Sequence, residues 1–393
     1  MNRNNFRDMR DKWIEVDLDA IGHNLEEVRR NLNPGVRLMA VVKSNAYGLG
    51  AVAVAQELAR LGVDMFGVTF LSEALELRNA GCREDILIFS PLSQEEYVLA
   101  LQAGMIVTIG SETNLVHVEQ AAEMVGRKAR VHLKMDTGLG RFGLLPEEAL
   151  AVARRAYSSP FCDLEGVYTH FAEGGKGNFT ASQFDIFQTV VRKMEDQGIT
   201  VPFRHCCGSS SFLRHPEMQL DMVRIGTLLW GQLPAGVTSP KIKLRDVFAC
   251  KARIVEVRHL KKGSYLGYYR TYRLKRDSRV AVIPVGLADG LGVEAIPRPS
   301  GWMDLFKLGV KLLASFLNLD AGALRAEIHG QPVKIRGKVF MQFCLVELSP
   351  QVEAQAGDVA HLPVKRTLAS LSLPRFYLRG RSPIEPGHLP EPD

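Results

Sequence analysis

Short apolar runs alternate with segments of helical period along the first 235 residues of this chain. The strand-like runs are 37–43, 64–70, 85–90, 105–110, 130–135, 164–170, 203–209 and 222–227. Between them, 52–62, 71–81, 146–157 and 182–198 carry apolar residues at the three- and four-residue spacing of an amphipathic helix. Eight strands with intervening helices predict a closed parallel (β/α)8 TIM-like barrel over about residues 20–235. An open doubly wound sheet is the alternative, but the G-x-G-x-x-G that should follow its first strand is missing.

Beyond Pro234 the pattern changes. Strand-like runs recur at 247–257, 279–286, 331–348 and 358–364 with few helices between them, which predicts a mostly β C-terminal domain over 236–393. The first domain then spans 1–235, with the early strand 13–19 expected to join the second. One segment inside the β domain breaks the rule: in 301–319, Trp302, Leu305, Phe306, Leu312, Leu313, Phe316 and Leu317 fall near helical spacing. A helical insertion over about 295–325 is expected there. It covers the β domain or a partner subunit, or else lies on a membrane surface.

At 393 residues, 46% hydrophobic and 23% charged, the chain has the makeup of a soluble globular protein. Its net charge of +6 is scattered, and no basic run or RNA-binding signature points to nucleic acid. The six cysteines form no C-x-x-C pair and no zinc-type grouping, so reduced thiols in a cytoplasmic protein and no metal site are expected. The N-terminal segment MNRNNFRDMRDKW is too polar for a secretory signal, and no apolar run reaches the roughly 20 residues of a spanning helix.

Barrel chemistry collects at the C-terminal ends of strands, and the polar oddities of this chain fall there. Lys43 ends the first barrel strand and Tyr47 follows it; Lys134, Asp136 and Arg141 follow the fifth; His170 ends the sixth. Ser209 to Ser211 end the seventh, and Arg224, Gly226 and Thr227 lie at the end of the eighth. Singly each has a plainer explanation: a snorkelling lysine, a hydrogen-bonded core histidine, a capped helix start. Jointly they describe one polar mouth. Hydroxyls at Tyr47, Ser209 and Thr227, with the glycine backbone at 208 and 226, suit a phosphate. A phosphate cradle facing a buried, nucleophilic lysine suggests pyridoxal 5'-phosphate.

The segments VVKSNAYGLG, KMDTGLGRFG, YTHFA, DMVRIGTLLWG, and GYYRTY followed by PVGLADG, occur in the order and spacing of the alanine racemase family, which the chain resembles from about residue 13 to 290. The resemblance implies a barrel plus β-domain fold and a pyridoxal-phosphate racemase of alanine that supplies D-alanine to peptidoglycan. It implies that Lys43 carries the cofactor and that Tyr268 is the opposing base, reaching in from the other chain of a head-to-tail homodimer. Two bases on opposite faces of a planar intermediate are the direct way to invert a carbon. His170 and Arg141 match residues that help the phenol ionise, and Arg141 and Met341 match substrate contacts. Arg224 matches the residue that faces the pyridine nitrogen, where a permanent cation discourages protonation of the ring. Lys134 matches a position often carbamylated.

Four departures stand out. Leu49 replaces the family's histidine, Leu287 replaces the tyrosine of G-Y-A-D-G, Gln342 replaces an aspartate after Met341, and the C-terminal tyrosine that touches the phosphate has no clear match before LPRFYL. Changes at 287 and 342 affect access and selectivity more than proton transfer. A broader racemase acting on serine or larger amino acids is therefore one alternative, and a catalytically impaired pyridoxal-phosphate-binding regulatory protein another. A decarboxylase on the same plan is disfavoured by Arg224, since a strong electron sink wants an acidic partner at the ring nitrogen.

Overall fold

The buried, β-branched strands of the first half assemble into one parallel series, as apolar runs covered on both faces must. The computed structural model describes residues 11–175, 178–237, 242–294, 301–316, 324–380 and 382–384. Two compact units divide the chain: residues 17–247 with 378–393, and residues 1–16 with 248–377.

The strands are β1 (Lys12–Asp17), β2 (Arg37–Val41), β3 (Met65–Val68), β4 (Asp85–Ile88), β5 (Ile106–Ile109), β6 (Ala129–Lys134), β7 (Cys162–Tyr168), β8 (Phe203–His205), β9 (Cys207–Gly208) and β10 (Met222–Ile225). In the first unit, pairing runs β8-β7-β6-β5-β4-β3-β2-β10-β9. β8 and β9 are separated by Cys206 alone, so the two ends of this order are one interrupted strand and the sheet returns on itself as an eight-stranded barrel. The eight parallel strands read from the sequence are all present. Met39, Met65, Leu87, Ile106 and Met222 fill the barrel interior with Phe89 and Phe203 packed against them. The expected strand 203–209 stops short, because Ser209 opens a helix, Ser209–Arg214.

The second unit holds β11 (Phe248–Arg253), β12 (Glu256–Leu260), β13 (Tyr265–Leu266), β14 (Tyr272–Arg273), β15 (Ser278–Ile283), β16 (Arg325–Ile328), β17 (Gln331–Arg336), β18 (Cys344–Glu347), β19 (Val359–Leu362) and β20 (Arg375–Arg379). Its main sheet has the order β12-β15-β18-β17-β16-β19-β11-β1-β20, with β1 antiparallel to β11 in the register Ile14 to Cys250. The run 331–348, expected as one strand, is two. A left-handed residue at Gly337 (φ 71°) turns the chain between them, at a point where a Cβ would strike the Leu266 carbonyl at 2.6 Å.

The insertion does contain a helix, Trp302–Phe316. Its apolar side chains Trp302, Met303, Phe306, Val310, Leu312 and Leu313 are exposed, so it does not cover the β sheet as one reading of the sequence supposed. Leu317 and the flanks 295–300 and 317–323 lie outside the described residues.

Candidate active site

β2 ends in Val41, and the chain then turns the wrong way. Ser44, Asn45, Ala46 and Tyr47 all take φ between 50° and 55°, a full left-handed turn in a chain of L-residues. Such backbone costs roughly 1–2 kcal/mol per residue and needs a surrounding structure that enforces it. Here Ala46 N–H donates to the Val42 carbonyl at 2.8 Å, Ala51 N–H donates to Asn45 Oδ1 at 2.7 Å, and the Glu73 carboxylate accepts from the backbone N–H groups of Ser44, Thr69 and Phe70. The outcome is that Lys43 and Tyr47 both face the same cavity at the C-terminal end of the barrel.

That cavity is about 300 Å³ and is lined by Lys43, Tyr47, Lys134, Arg141, His170, Ser209, Arg224, Gly226 and Thr227, all singled out from the sequence; Asp136, singled out with them, does not line it. Tyr268 and Met341 belong to the β unit. Tyr268 stacks edge-on against Phe340 at 4.9 Å, and both Tyr268 and Met341 are well exposed, at 61% and 66%.

One end of the cavity is built for an anion. Gly226 N–H donates to Ser209 Oγ at 3.4 Å, and a Cβ on Gly226 would sit 2.8 Å from the Tyr47 hydroxyl, so only glycine lets that phenol close over the loop. With Thr227 beside them, three hydroxyls and a backbone amide line one corner of the cavity. Burial and the nearby Arg141 and Arg224 guanidinium groups lower the Lys43 ammonium below its ordinary range, against a weaker pull from Glu73. A lysine amine of that kind attacks carbonyl carbon.

The cavity floor is organised by Arg224, which is 5% exposed. Its Nη1 donates to the His205 carbonyl and to His205 Nδ1, both at 2.9 Å. Its Nη2 donates to the Thr169 carbonyl at 2.8 Å and to His170 Nδ1 at 3.2 Å. A guanidinium only donates, which fixes the tautomers beyond it. His205 Nδ1 must accept, so its proton sits on Nε2 and is donated to His132 Nδ1 at 2.9 Å; the His132 proton is then on Nε2, a buried atom with no hydrogen-bond partner among the described residues. Protonating either buried ring would set donor against donor. Burial, aided by the surrounding guanidinium groups, accordingly drives His132 down to about 3 and His205 well below its ordinary value. His170 falls to about 3 for the same reasons, burial first and Arg224 next.

His132 and His205 escaped the sequence reading. Their signal was available: RVHLKM and FRHCCGS each carry a histidine inside an apolar strand, at a position where valine or isoleucine is ordinary. Space for the pair comes from Gly166, opposite His132 across β6 and β7, where a Cβ would lie 2.7 Å from the His132 ring.

Lys134 is 1% exposed, and its Nζ has no hydrogen-bond partner among the described residues. It sits 5.0 Å from the Phe142 ring centroid and 5.6 Å from that of Tyr168. Burial, Arg224 and Arg141 bring it down to about 8. The following loop is pinned by Asp136, which burial alone would push up but which accepts from the N–H groups of Gly138, Leu139, Gly140 and Arg141, leaving it net lowered. This loop carries Arg141, stacked over Phe142 at 5.0 Å, to the cavity wall. Among the described residues no cluster of acidic, histidine and cysteine side chains could hold a metal ion.

Residues 16–234 match the family model described as alanine racemase, N-terminal domain, and residues 247–371 match alanine racemase, C-terminal domain. The chain is 34% identical over 363 residues to the alanine racemase of Desulforamulus reducens, spanning 90% of this chain and 91% of that protein. It is 31% identical over 368 residues to the alanine racemase of Methanococcus maripaludis, spanning 93% and 92%. The solved alanine racemase of Clostridium difficile 630 shares the fold with a TM-score of 0.85 at 24% identity, over 96% of this chain and 98% of that one.

Proposed function

Because the chain belongs to the alanine racemase family, we propose that it interconverts L- and D-alanine with Lys43 and Tyr268 as the two bases. The observation that carries this reading is the cavity itself. It places a lysine with a lowered pKa across from a hydroxyl-lined anion corner, with a permanent cation in its floor. This arrangement fits pyridoxal 5'-phosphate. Tyr47, Ser209, Gly226 and Thr227 would hold the phosphate, Lys43 the aldehyde carbon and Arg224 the ring nitrogen. When bound, that cofactor supplies an electron sink that acidifies the substrate α-proton.

The protein's own groups do the rest. Lys43, its pKa lowered by burial and two guanidinium groups, takes or returns the α-proton on one face. Arg141, at the cavity wall, binds the substrate carboxylate. His205, which accepts from Arg224 while donating to His132, keeps the guanidinium fixed in position. Lys134, neutral often enough to react with carbon dioxide, forms a carbamate that anchors Arg141.

The second base is Tyr268 of a partner subunit in a head-to-tail homodimer. Its exposure within the single chain supports that reading, as does the neighbouring exposed Met341, which would touch substrate. We place the enzyme in the cytoplasm, supplying D-alanine to peptidoglycan. The test mixes two inactive homodimers, Lys43→Ala and Tyr268→Phe. Subunit exchange restores one intact site in each hybrid and a fraction of wild-type activity; no recovery in demonstrated hybrids removes the shared-site reading.

A further inference from the structure

No residue of the helix Trp302–Phe316 lines that cavity, and its composition is unlike that of a solvent-facing helix. At 100° per residue, the exposed side chains Leu312, Leu305, Trp302, Leu313, Phe306, Val310 and Met303 sweep continuously through roughly 180° of the helix circumference. The remaining arc carries Asp304, the exposed Lys307 and the half-buried Leu308, and Lys311 follows Lys307 four residues on in the sequence. Trp302 and Phe306 are 86% and 68% exposed, an uncommon fate for large aromatics in a soluble fold.

We propose that this helix is an interfacial anchor that lies in the surface of an anionic lipid bilayer. Two features choose that occupant over a second copy of the chain. A helix packing on another helix is served by an apolar stripe of about 100° or somewhat more, whereas an acyl layer takes up the full half-circumference seen here. The helical sequence carries two lysines, Lys307 and Lys311, against one aspartate, on a chain whose net charge is +6, which complements anionic headgroups. No helix among the described residues is long and apolar enough to cross a membrane, so the helix lies on the surface without spanning it.

The tryptophans supply a local reporter. The chain has three, and Trp13 and Trp230 are 3% and 0% exposed, so a change in emission on lipid binding belongs to Trp302. The intact enzyme is titrated with vesicles of phosphatidylglycerol and phosphatidylcholine in equal parts, and with phosphatidylcholine alone. Co-sedimentation with the anionic vesicles, a blue shift of emission that is absent in Trp302→Phe, and weaker binding as salt rises are the expected results. Lys307→Gln with Lys311→Gln should weaken that partition roughly 25-fold, about fivefold for each lysine. Phe306→Glu with Leu313→Glu should lose it while keeping the oligomeric state and the racemase rate. Failure to bind anionic vesicles overturns the proposal. So does binding equal on neutral and anionic vesicles, or a change of oligomeric state in the double glutamate variant, which would assign the face to a second copy. Racemase activity is read separately in the same samples, so neither result bears on the catalytic assignment.

Discussion

Acidification should unfold this protein through its barrel histidines. The unfolded chain takes up a proton on each histidine below about pH 6.5, whereas His132 stays neutral in the fold until about pH 3. Across that window the unfolded state binds more protons, so stability falls as pH falls. At pH 4.5, two units below the unfolded value, His132 alone costs about 3 kcal/mol. His205 is fully buried and shifted in the same direction, so it adds to the loss. The assay is urea unfolding followed by circular dichroism at half-unit steps from pH 7 to 4.5, on wild type and His132→Asn. The asparagine amide oxygen still offers His205 Nε2–H an acceptor but cannot titrate. The variant starts lower by about 1–3 kcal/mol from lost packing, and its stability should fall with pH less steeply by about 1.4 kcal/mol per unit. Carboxylates contribute equally to both proteins and cancel. Parallel slopes would refute the neutral, Arg224-locked imidazole pair.

Other outcomes follow from the same geometry. Gly226→Ala places a methyl 2.8 Å from the Tyr47 hydroxyl and should weaken pyridoxal-phosphate binding tenfold or more by absorbance titration, whereas Gly208→Ala, whose nearest neighbour is 3.7 Å away, should bind nearly as wild type. Lys134, at about 8, is neutral in roughly one molecule in ten at pH 7, some 300-fold more than a lysine at 10.5; a carbonyl resonance from ¹³C-bicarbonate should appear in wild type and vanish in Lys134→Ala. Leu287 and Gln342 sit on loops tied by Leu287 N–H donating to the Phe340 carbonyl and Ala288 N–H to the Met341 carbonyl, both at 2.9 Å. Leu287→Tyr with Gln342→Asp should raise the alanine-over-serine ratio of kcat/KM about tenfold, and an unchanged ratio would show that these positions do not set selectivity.

The barrel was legible because its strands are short, apolar on both faces and separated by helices of clear period. Polar residues at their C-terminal ends therefore stood out, and Lys43, Arg141, His170 and Arg224 could be named from position alone. The left-handed turn at 44–47 was not legible. Nothing in Ser-Asn-Ala-Tyr demands positive φ at four successive residues, and the cost is met by partners as distant in sequence as Glu73. The His132 and His205 pair was missed for a related reason: each strand taken alone shows one odd histidine, and only the closed barrel makes them neighbours. In the β unit, two-residue strands such as β13 and β14 are too short to leave a period in the sequence.

The central claim, two bases on opposite faces, is tested most directly by α-proton exchange in heavy water on each pure enantiomer of alanine, with chiral analysis of the same samples. Wild type should incorporate deuterium into both enantiomers while inverting them. Tyr268→Phe should lose inversion yet still exchange the α-proton of one enantiomer, through the face that Lys43 serves. Equal loss of exchange from both enantiomers, or inversion that survives without Tyr268, would contradict the account.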